Sequence, residues 1–181
     1  MDEPNTEAPC GHGLHLGMIA AEAMQDSPHN DADLVLDFDA RPDLLCVIRS
    51  MIDAWCHRAG IARTRVDRIC LAVDEAVTNI MRHAYDNGPG RIRMQCSRIS
   101  HDQQPMLLIR LEDDGRQVPL DTIRPRDLDD VRPGGIGVYL IQDVADEAVW
   151  SHRPTGGTML TLRISVPDLA ATTVPKEEPH A

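Results

Sequence analysis

Residues 65 to 85 read RVDRICLAVDEAVTNIMRHAY, and this stretch decides how the rest of the chain is read. Apolar side chains recur at Val66, Ile69, Cys70, Val73, Val77 and Ile80. Spacings of three and four put them on one face of a long helix. Away from that face stand Glu75 and Asn79, one turn apart, with Arg82 and His83 a turn further on. A carboxylate, an amide and basic groups can therefore address one ligand, although such a set also describes an ordinary solvated helix face. Thr64 with Asp67 three residues later predicts a capped start, and Asp86-Asn87-Gly88-Pro89-Gly90 a firm stop.

Upstream of this helix, Leu34 to Phe38 alternates between apolar and polar residues and is flanked by aspartates, which reads as an edge strand. Pro42 then opens a helix whose stripe is Leu44, Leu45, Ile48, Met51, Ile52 and Trp55, ended by Ala59-Gly60. Arg49 and Asp53 fall on its polar side. Downstream, residues 91 to 99 alternate as a strand and residues 100 to 105 turn. Residues 106 to 111 form a more continuous apolar run, as a central strand does. That strand exits at Glu112-Asp113-Asp114-Gly115. Residues 116 to 133 carry Pro119, Pro125 and Pro133 among alternating Arg and Asp without an apolar period. A loop of that length within a compact domain is functional or disordered. Gly134-Gly135-Ile136-Gly137 leads into a helix with Val138, Ile141, Val144 and Ala145 on its apolar side. Two strands follow, residues 148 to 151 and 158 to 166, joined through Pro154-Thr155-Gly156-Gly157.

The chain has 181 residues and a formal net charge of −11, which argues against a nucleic-acid surface. One domain is expected over residues 33 to 167, with residues 1 to 32 and 168 to 181 read as disordered. Cys10, His12 and His15 lie close together, but a structural metal site wants further ligands that the sequence does not place nearby. Five cysteines, odd in number and without a CxxC pair, fit buried thiols in a reduced compartment. No apolar run reaches the roughly 18 residues of a membrane span, and the first residues are acidic where a signal peptide is basic. A soluble cytoplasmic protein is expected. With aromatics at 3%, the core must be aliphatic and base stacking is not its main activity.

Three features carry chemistry: the Glu75/Asn79 face, the acidic strand exit with Asp113-x-Gly115, and the glycines that open a helix after a long loop. Singly, each has an ordinary reading as solvated face, turn or helix start. Backbone N–H groups at a glycine-rich helix start also cradle phosphates. Taken together and in this order, they resemble the GHKL ATPase superfamily, and within it the anti-sigma factor serine-protein kinases of the RsbW and SpoIIAB type. Residues 75 to 85, EAVTNIMRHAY, are similar to that family's N box. Asp113-Asp114-Gly115 is similar to its first glycine box, Gly134-Gly135-Ile136-Gly137-Val-Tyr-Leu-Ile to its second, and Gly156-Gly157-Thr158 to the element that closes the nucleotide site. The resemblance covers residues 33 to 166. Val138 departs from it where leucine is commoner, and Asp114 adds a second acid beside the one that the D-x-G spacing selects.

The resemblance implies an α/β fold, an α+β two-layer sandwich of the Bergerat type with a mixed sheet and helices on one face. It implies ATP and Mg²⁺ as cofactors, with Asn79 as the metal ligand and Glu75 as the base for an attacking serine or threonine hydroxyl. Asp113 would take the adenine amino group, Gly115 would let the backbone approach the base, and Thr158 would add a hydroxyl contact. Gly134, Gly135, Ile136 and Gly137 would hold phosphates, His83 would touch them through its ring, and residues 116 to 133 would form the lid. Arg49 is the candidate for gripping a sigma factor. The implied partners are a STAS-domain anti-sigma-factor antagonist, as phosphorylation substrate, and a sigma factor or similar target, in a bacterial homodimer free of nucleic acid and membrane. The alternative is a module that binds ATP and sequesters a partner without phosphotransfer. No histidine-bearing dimerisation helices precede the domain, which argues against a conventional histidine kinase, and the last 15 residues are too few for the transducer domain of larger clamp ATPases.

Overall fold

The computed structural model describes residues 32–125 and 136–166. Gly134, Gly135, both terminal segments and the Cys10, His12 and His15 group lie outside the described residues. In chain order the elements are β1 (Leu34–Asp39), a 3₁₀ turn (Pro42–Leu44), α1 (Leu45–Arg58), α2 (Arg63–His83), β2 (Arg91–His101), β3 (Gln104–Asp113), a 3₁₀ turn (Leu120–Thr122), α3 (Ile136–Val144), β4 (Glu147–His152) and β5 (Thr158–Ser165). The strands form one sheet in the order β1-β2-β3-β5-β4, so β1 lies at an edge and β3 at the centre.

The expected mixed sheet is instead antiparallel at every pairing. Chain direction explains this. Two helices, an even number, separate β1 from β2 and bring the chain back to the end where β1 stopped, so β2 runs the other way. After β3 a single helix intervenes, which sets β4 parallel to β3. The turn after β4 then sends β5 back between them, and no parallel neighbours remain.

One apolar core lies between the sheet and the helices. Ile92, Met94, Leu107, Ile109, Leu111, Leu162 and Ile164 point into it from the strands, and Ile52, Val66, Ile69, Val73 and Ile141 from the helices. Each such aliphatic side chain, fully withdrawn from water, contributes about 1.5–3 kcal/mol before entropy is counted. The opposite sheet face is polar in part, with Arg93 opposite Glu112 in the register. The α2 stripe is buried at Val66, Ile69, Cys70, Val73 and Val77. On α1 the buried positions are Ile48, Ile52 and Cys56, while Met51 from the expected stripe remains exposed.

Two local expectations are corrected. The first residue of α2 is Arg63 and its cap position is Ala62, with no side-chain cap bond, so Thr64 lies inside the helix. Arg63 instead pairs with Asp53 at 2.6 Å and Asp67 at 2.9 Å, which favours helix from that residue on. The β2–β3 turn is also tighter than residues 100 to 105: Asp102 and Gln103 both have positive φ and allow a two-residue hairpin. At the C-terminus of α2, Asp86 and Asn87 adopt positive φ and end the helix where the sequence expects. Among the described residues no helix is long and apolar enough to cross a membrane.

Candidate functional site

The last residues of α2, the exit of β3, the start of α3 and the β4–β5 turn all meet at one end of the sheet. There they enclose a cavity of about 570 Å³, within the range of small-ligand sites. Alternation along β3 turns Leu107, Ile109, Leu111 and then Asp113 toward the helix layer, so the strand's polar exit opens into the cavity. By the same alternation β5 contributes Thr158 and Leu160, and β4 contributes Trp150. Glu75, Asn79 and His83 face them from α2, and Ile136, Gly137, Val138 and Ile141 from α3.

Asp113 is 2% exposed. Its Oδ1 accepts the Gly115 N–H at 2.8 Å and its Oδ2 the Thr158 N–H at 3.3 Å, which leaves further lone pairs for a ligand donor. Burial pushes its carboxyl above the ordinary aspartate value, against the two N–H donors and the Arg153 charge, which pull it down. Beside it the Thr158 hydroxyl is buried and has no hydrogen-bond partner among the described residues. A buried carboxylate next to an orphaned hydroxyl suits a ligand edge that carries both a donor and an acceptor.

At the opposite end of the cavity, α3 approaches α2 through Gly137. A side chain there would begin 2.6 Å from Glu75 Oε2 and 3.3 Å from Asn79 Nδ2. The N-terminus of α3, with its partial positive charge, therefore lies against the Glu75 carboxylate and favours anions. Arg68 of α2 holds the other end of α3 through Asp143 Oδ2 at 2.6 Å.

The structure thus brings Glu75, Asn79, His83, Asp113, Ile136, Gly137 and Thr158 to one cavity. Gly115 does not line it: a side chain there would meet the Ala84 carbonyl at 2.6 Å, so this glycine lets the strand exit pack on the end of α2. Arg49 lies elsewhere, on α1, where its Nε donates to Asp74 Oδ2 at 2.7 Å and its Nη2 pairs with the same oxygen. The second acid of the strand exit, Asp114, is exposed and bound to Arg153. Sequence reasoning missed the apolar walls, Val118, Ile123, Leu111, Leu160 and Trp150, and the cation Arg124. Alternation through β4 would have found Trp150, whereas nothing in the aperiodic run after Gly115 marks Val118, Ile123 or Arg124.

The profile of the histidine kinase-like ATPase domain family matches residues 38–164. The chain belongs to this family. Its resemblance to the RsbW type is matched by curated relatives. Serine-protein kinase RsbW of Listeria innocua is 26% identical over 123 residues, 63% of this chain and 76% of that protein. Serine-protein kinase RsbW of Bacillus subtilis is 28% identical over 127 residues, 65% and 78% of the two chains. Among solved structures, the RsbU and RsbW domains of Rv1364c from Mycobacterium tuberculosis align over 74% of this chain and 32% of theirs, at 18% identity and a TM-score of 0.47. Membership in an ATPase family makes ATP the ligand to test against this cavity. The cavity fits it: buried Asp113 and the orphaned Thr158 hydroxyl match the edge of a base, apolar walls match its faces, and a helix N-terminus lies where phosphates need N–H groups.

Proposed function

We propose that the chain is a serine/threonine protein kinase of a partner-switching system, which uses Mg-ATP to phosphorylate a STAS-domain anti-sigma-factor antagonist and binds a sigma factor or similar target. Residues 33 to 167 form the kinase domain, and the active species is a homodimer in the cytoplasm. The observation that carries this reading is the position of Glu75 and Asn79 against the start of α3, in the same cavity that ends at Asp113 and Thr158.

Asp113 accepts the adenine amino group and Thr158 bonds the neighbouring ring edge, which fixes the base at the buried end. The triphosphate then runs toward α3, where backbone N–H groups and the basic His83 and Arg82 face it. Asn79 offers a side-chain oxygen to Mg²⁺, which when bound shields the phosphate charge. Glu75 stands one turn from Asn79 and takes the proton of the serine or threonine hydroxyl as its oxygen bonds the γ-phosphorus, while the bond from that phosphorus to the β-phosphate oxygen breaks and ADP leaves. Arg49 on α1 is exposed enough to meet a protein partner, although its guanidinium is held by Asp74 through Nε and Nη2.

The test is transfer of labelled phosphate from ATP, with Mg²⁺, to each candidate STAS protein of the same organism, beside Glu75→Ala and Asn79→Ala. Transfer to a serine or threonine of one antagonist, abolished by both substitutions, supports the kinase. Binding of ATP and of the antagonist without any transfer replaces it with a sequestering module.

A further inference from the structure

Arg153 does not line the cavity, yet it joins the three segments that frame its buried end. Its Nη1 donates to the Asp113 carbonyl oxygen at 2.6 Å and pairs with the Asp114 carboxylate, and its Nη2 lies 3.4 Å from Glu112 Oε2. Its main chain closes the β4–β5 turn: the N–H donates to Gly157 O at 3.2 Å, and the carbonyl accepts from Gly156 N–H at 3.1 Å. The same carbonyl accepts from Gln117 Nε2 at 3.3 Å, at the root of the loop that follows β3. One residue thus binds the exit of β3, the first residues of the loop and the turn that delivers Thr158.

The sheet does not supply this connection. Pairing of β3 with β5 ends at Glu112 opposite Met159. Asp113 and Thr158, one step beyond, are joined only by the long bond of 3.3 Å from the Thr158 N–H to Oδ2. The Gly115 N–H at 2.8 Å holds the carboxylate within the β3 exit, but a bond as long as 3.3 Å ties it only loosely to Thr158. The short bond from Arg153 to the Asp113 carbonyl, reinforced by two acids, crosses the gap where the ladder has stopped.

Resting on the ATP-binding reading, we propose that Arg153 is a positioning residue for base recognition: it fixes the Asp113 carboxylate in register with Thr158 and so sets the preference for adenine over guanine. An adenine amino group donates to that carboxylate, whereas the guanine carbonyl at the corresponding position repels it. Discrimination therefore depends on holding the carboxylate against the ring edge while it is charged. The groups that act on this charge are the N–H donors of Gly115 and Thr158, Arg153 from the turn and Asp114 from the strand exit. The two N–H donors and Arg153 favour ionisation, Arg153 being the one charged side chain among them, and Asp114 opposes it. Loss of Arg153 removes the register and the favourable charge together.

The experiment measures dissociation constants of Mg-ATP and Mg-GTP for the full chain by calorimetry from pH 5 to 8, for the native protein, Arg153→Ala, Arg153→Lys and Asp114→Asn. The alanine variant should weaken ATP about tenfold, the worth of a charge-assisted bond, and leave GTP within about twofold, so that the ATP/GTP ratio collapses. Its acid limb of ATP binding should move to higher pH. Lysine keeps the charge without the fork, so its ratio should fall about threefold with the acid limb unmoved. Asp114→Asn leaves the carbonyl bond intact and should hold the native ratio. An alanine variant with the native ratio overturns the proposal, whether it binds both nucleotides normally or loses both equally. If that variant does not fold, the lysine variant decides, and a native ratio in it overturns the proposal. A native chain that binds neither nucleotide overturns the ATP-binding reading itself, an outcome distinct from failure of Arg153's role.

Discussion

Replacing Gly137 by alanine should separate catalysis from stability. The new methyl carbon would lie 2.6 Å from Glu75 Oε2, whereas ordinary contact begins at 3.4 Å, so the carboxylate must retreat by about 0.8 Å. The next neighbour is Asn79 Nδ2 at 3.3 Å, a tight contact but a tolerable one. Both obstacles are the far ends of side chains, and the nearest atoms among the described residues include no backbone atom. The fold therefore accommodates the change, and because alanine favours a helix over glycine, stability should hold or rise by up to about 1 kcal/mol. For a chain of this size that is a melting temperature higher by up to about 4 °C. Catalysis should respond in the opposite direction. A base displaced by most of an ångström loses alignment with the hydroxyl it deprotonates, which should lower phosphate transfer about ten- to a hundredfold. Initial rates of transfer to the antagonist, with saturating Mg-ATP, and thermal unfolding of the same preparation are the two measurements. Transfer within about twofold of native would refute Glu75 as a base held against α3. A melting temperature lower by several degrees would refute the steric argument.

Gly157→Ala should behave differently, because Gly157 has φ +75° and a side chain there would collide with the Asp113 carbonyl, a rigid obstacle. A loss of about 2–4 kcal/mol in urea unfolding is expected, against only about 1 kcal/mol for Gly156→Ala, which has φ +102° but open space around it. The raised carboxyl of Asp113 means that the folded chain holds that proton longer than the unfolded chain. Without ATP, stability from this group falls as pH rises from 3.8 through the raised value, and ATP-induced stabilisation grows over the same window. The ATP-induced rise in melting temperature should therefore fade on acidification earlier than an ordinary aspartate allows, and Asp113→Asn should remove that limb. Burial pushes the Cys56 thiol to about 12 and Cys70 to about 11, and raises Cys96 as well, whereas Cys46 is exposed. Mass spectrometry after brief alkylation should find Cys46 modified and those three intact until the chain is unfolded.

Periodicity made the elements legible. The three- and four-residue spacing from Val66 to Ile80 marks α2, and alternation marks β2 and β5, because each pattern is imposed by which side chains meet the core. The edge position of β1 followed from its aspartates and the central position of β3 from its unbroken apolar run. Strand directions were not legible, since the number of helices between two strands fixes direction only once their neighbours are known. Helix ends were half legible. Asp86 and Asn87 announce a stop because they tolerate positive φ, but the start at Arg63 rests on ion pairs across ten and four residues that no cap signal reveals. Within the site, polar residues with an unusual spacing could be named in advance. The apolar walls could not, because Val118 and Ile123 follow no period and a cavity wall uses the same residue types as the core.

Chain direction also explains why the candidate residues come from segments far apart in sequence. α2 runs toward the end of the sheet where β3 exits and where β4 turns into β5, and α3 departs from that same end, the link after it to β4 being tied to β5 by the Asp146 N–H, which donates to the Arg163 carbonyl at 2.9 Å. The C-terminal half of one helix thus faces the N-terminal turn of the next across a strand exit. A carboxylate and an amide on α2 can then lie against the positive end of α3 without distorting either helix. α1 takes no part in this convergence, and Arg49 reaches the site only indirectly. Its partner Asp74, one residue before Glu75, is buried and spends one oxygen on both Arg49 nitrogens, and its other oxygen has no hydrogen-bond partner among the described residues. Removal of Arg49 would leave the buried Asp74 carboxylate without its ion-pair partner. Two ion pairs join α1 to α2 among the described residues, Asp53–Arg63 at the start of α2 and Arg49–Asp74 beside Glu75, so the second is the one placed to connect α1 with the cavity.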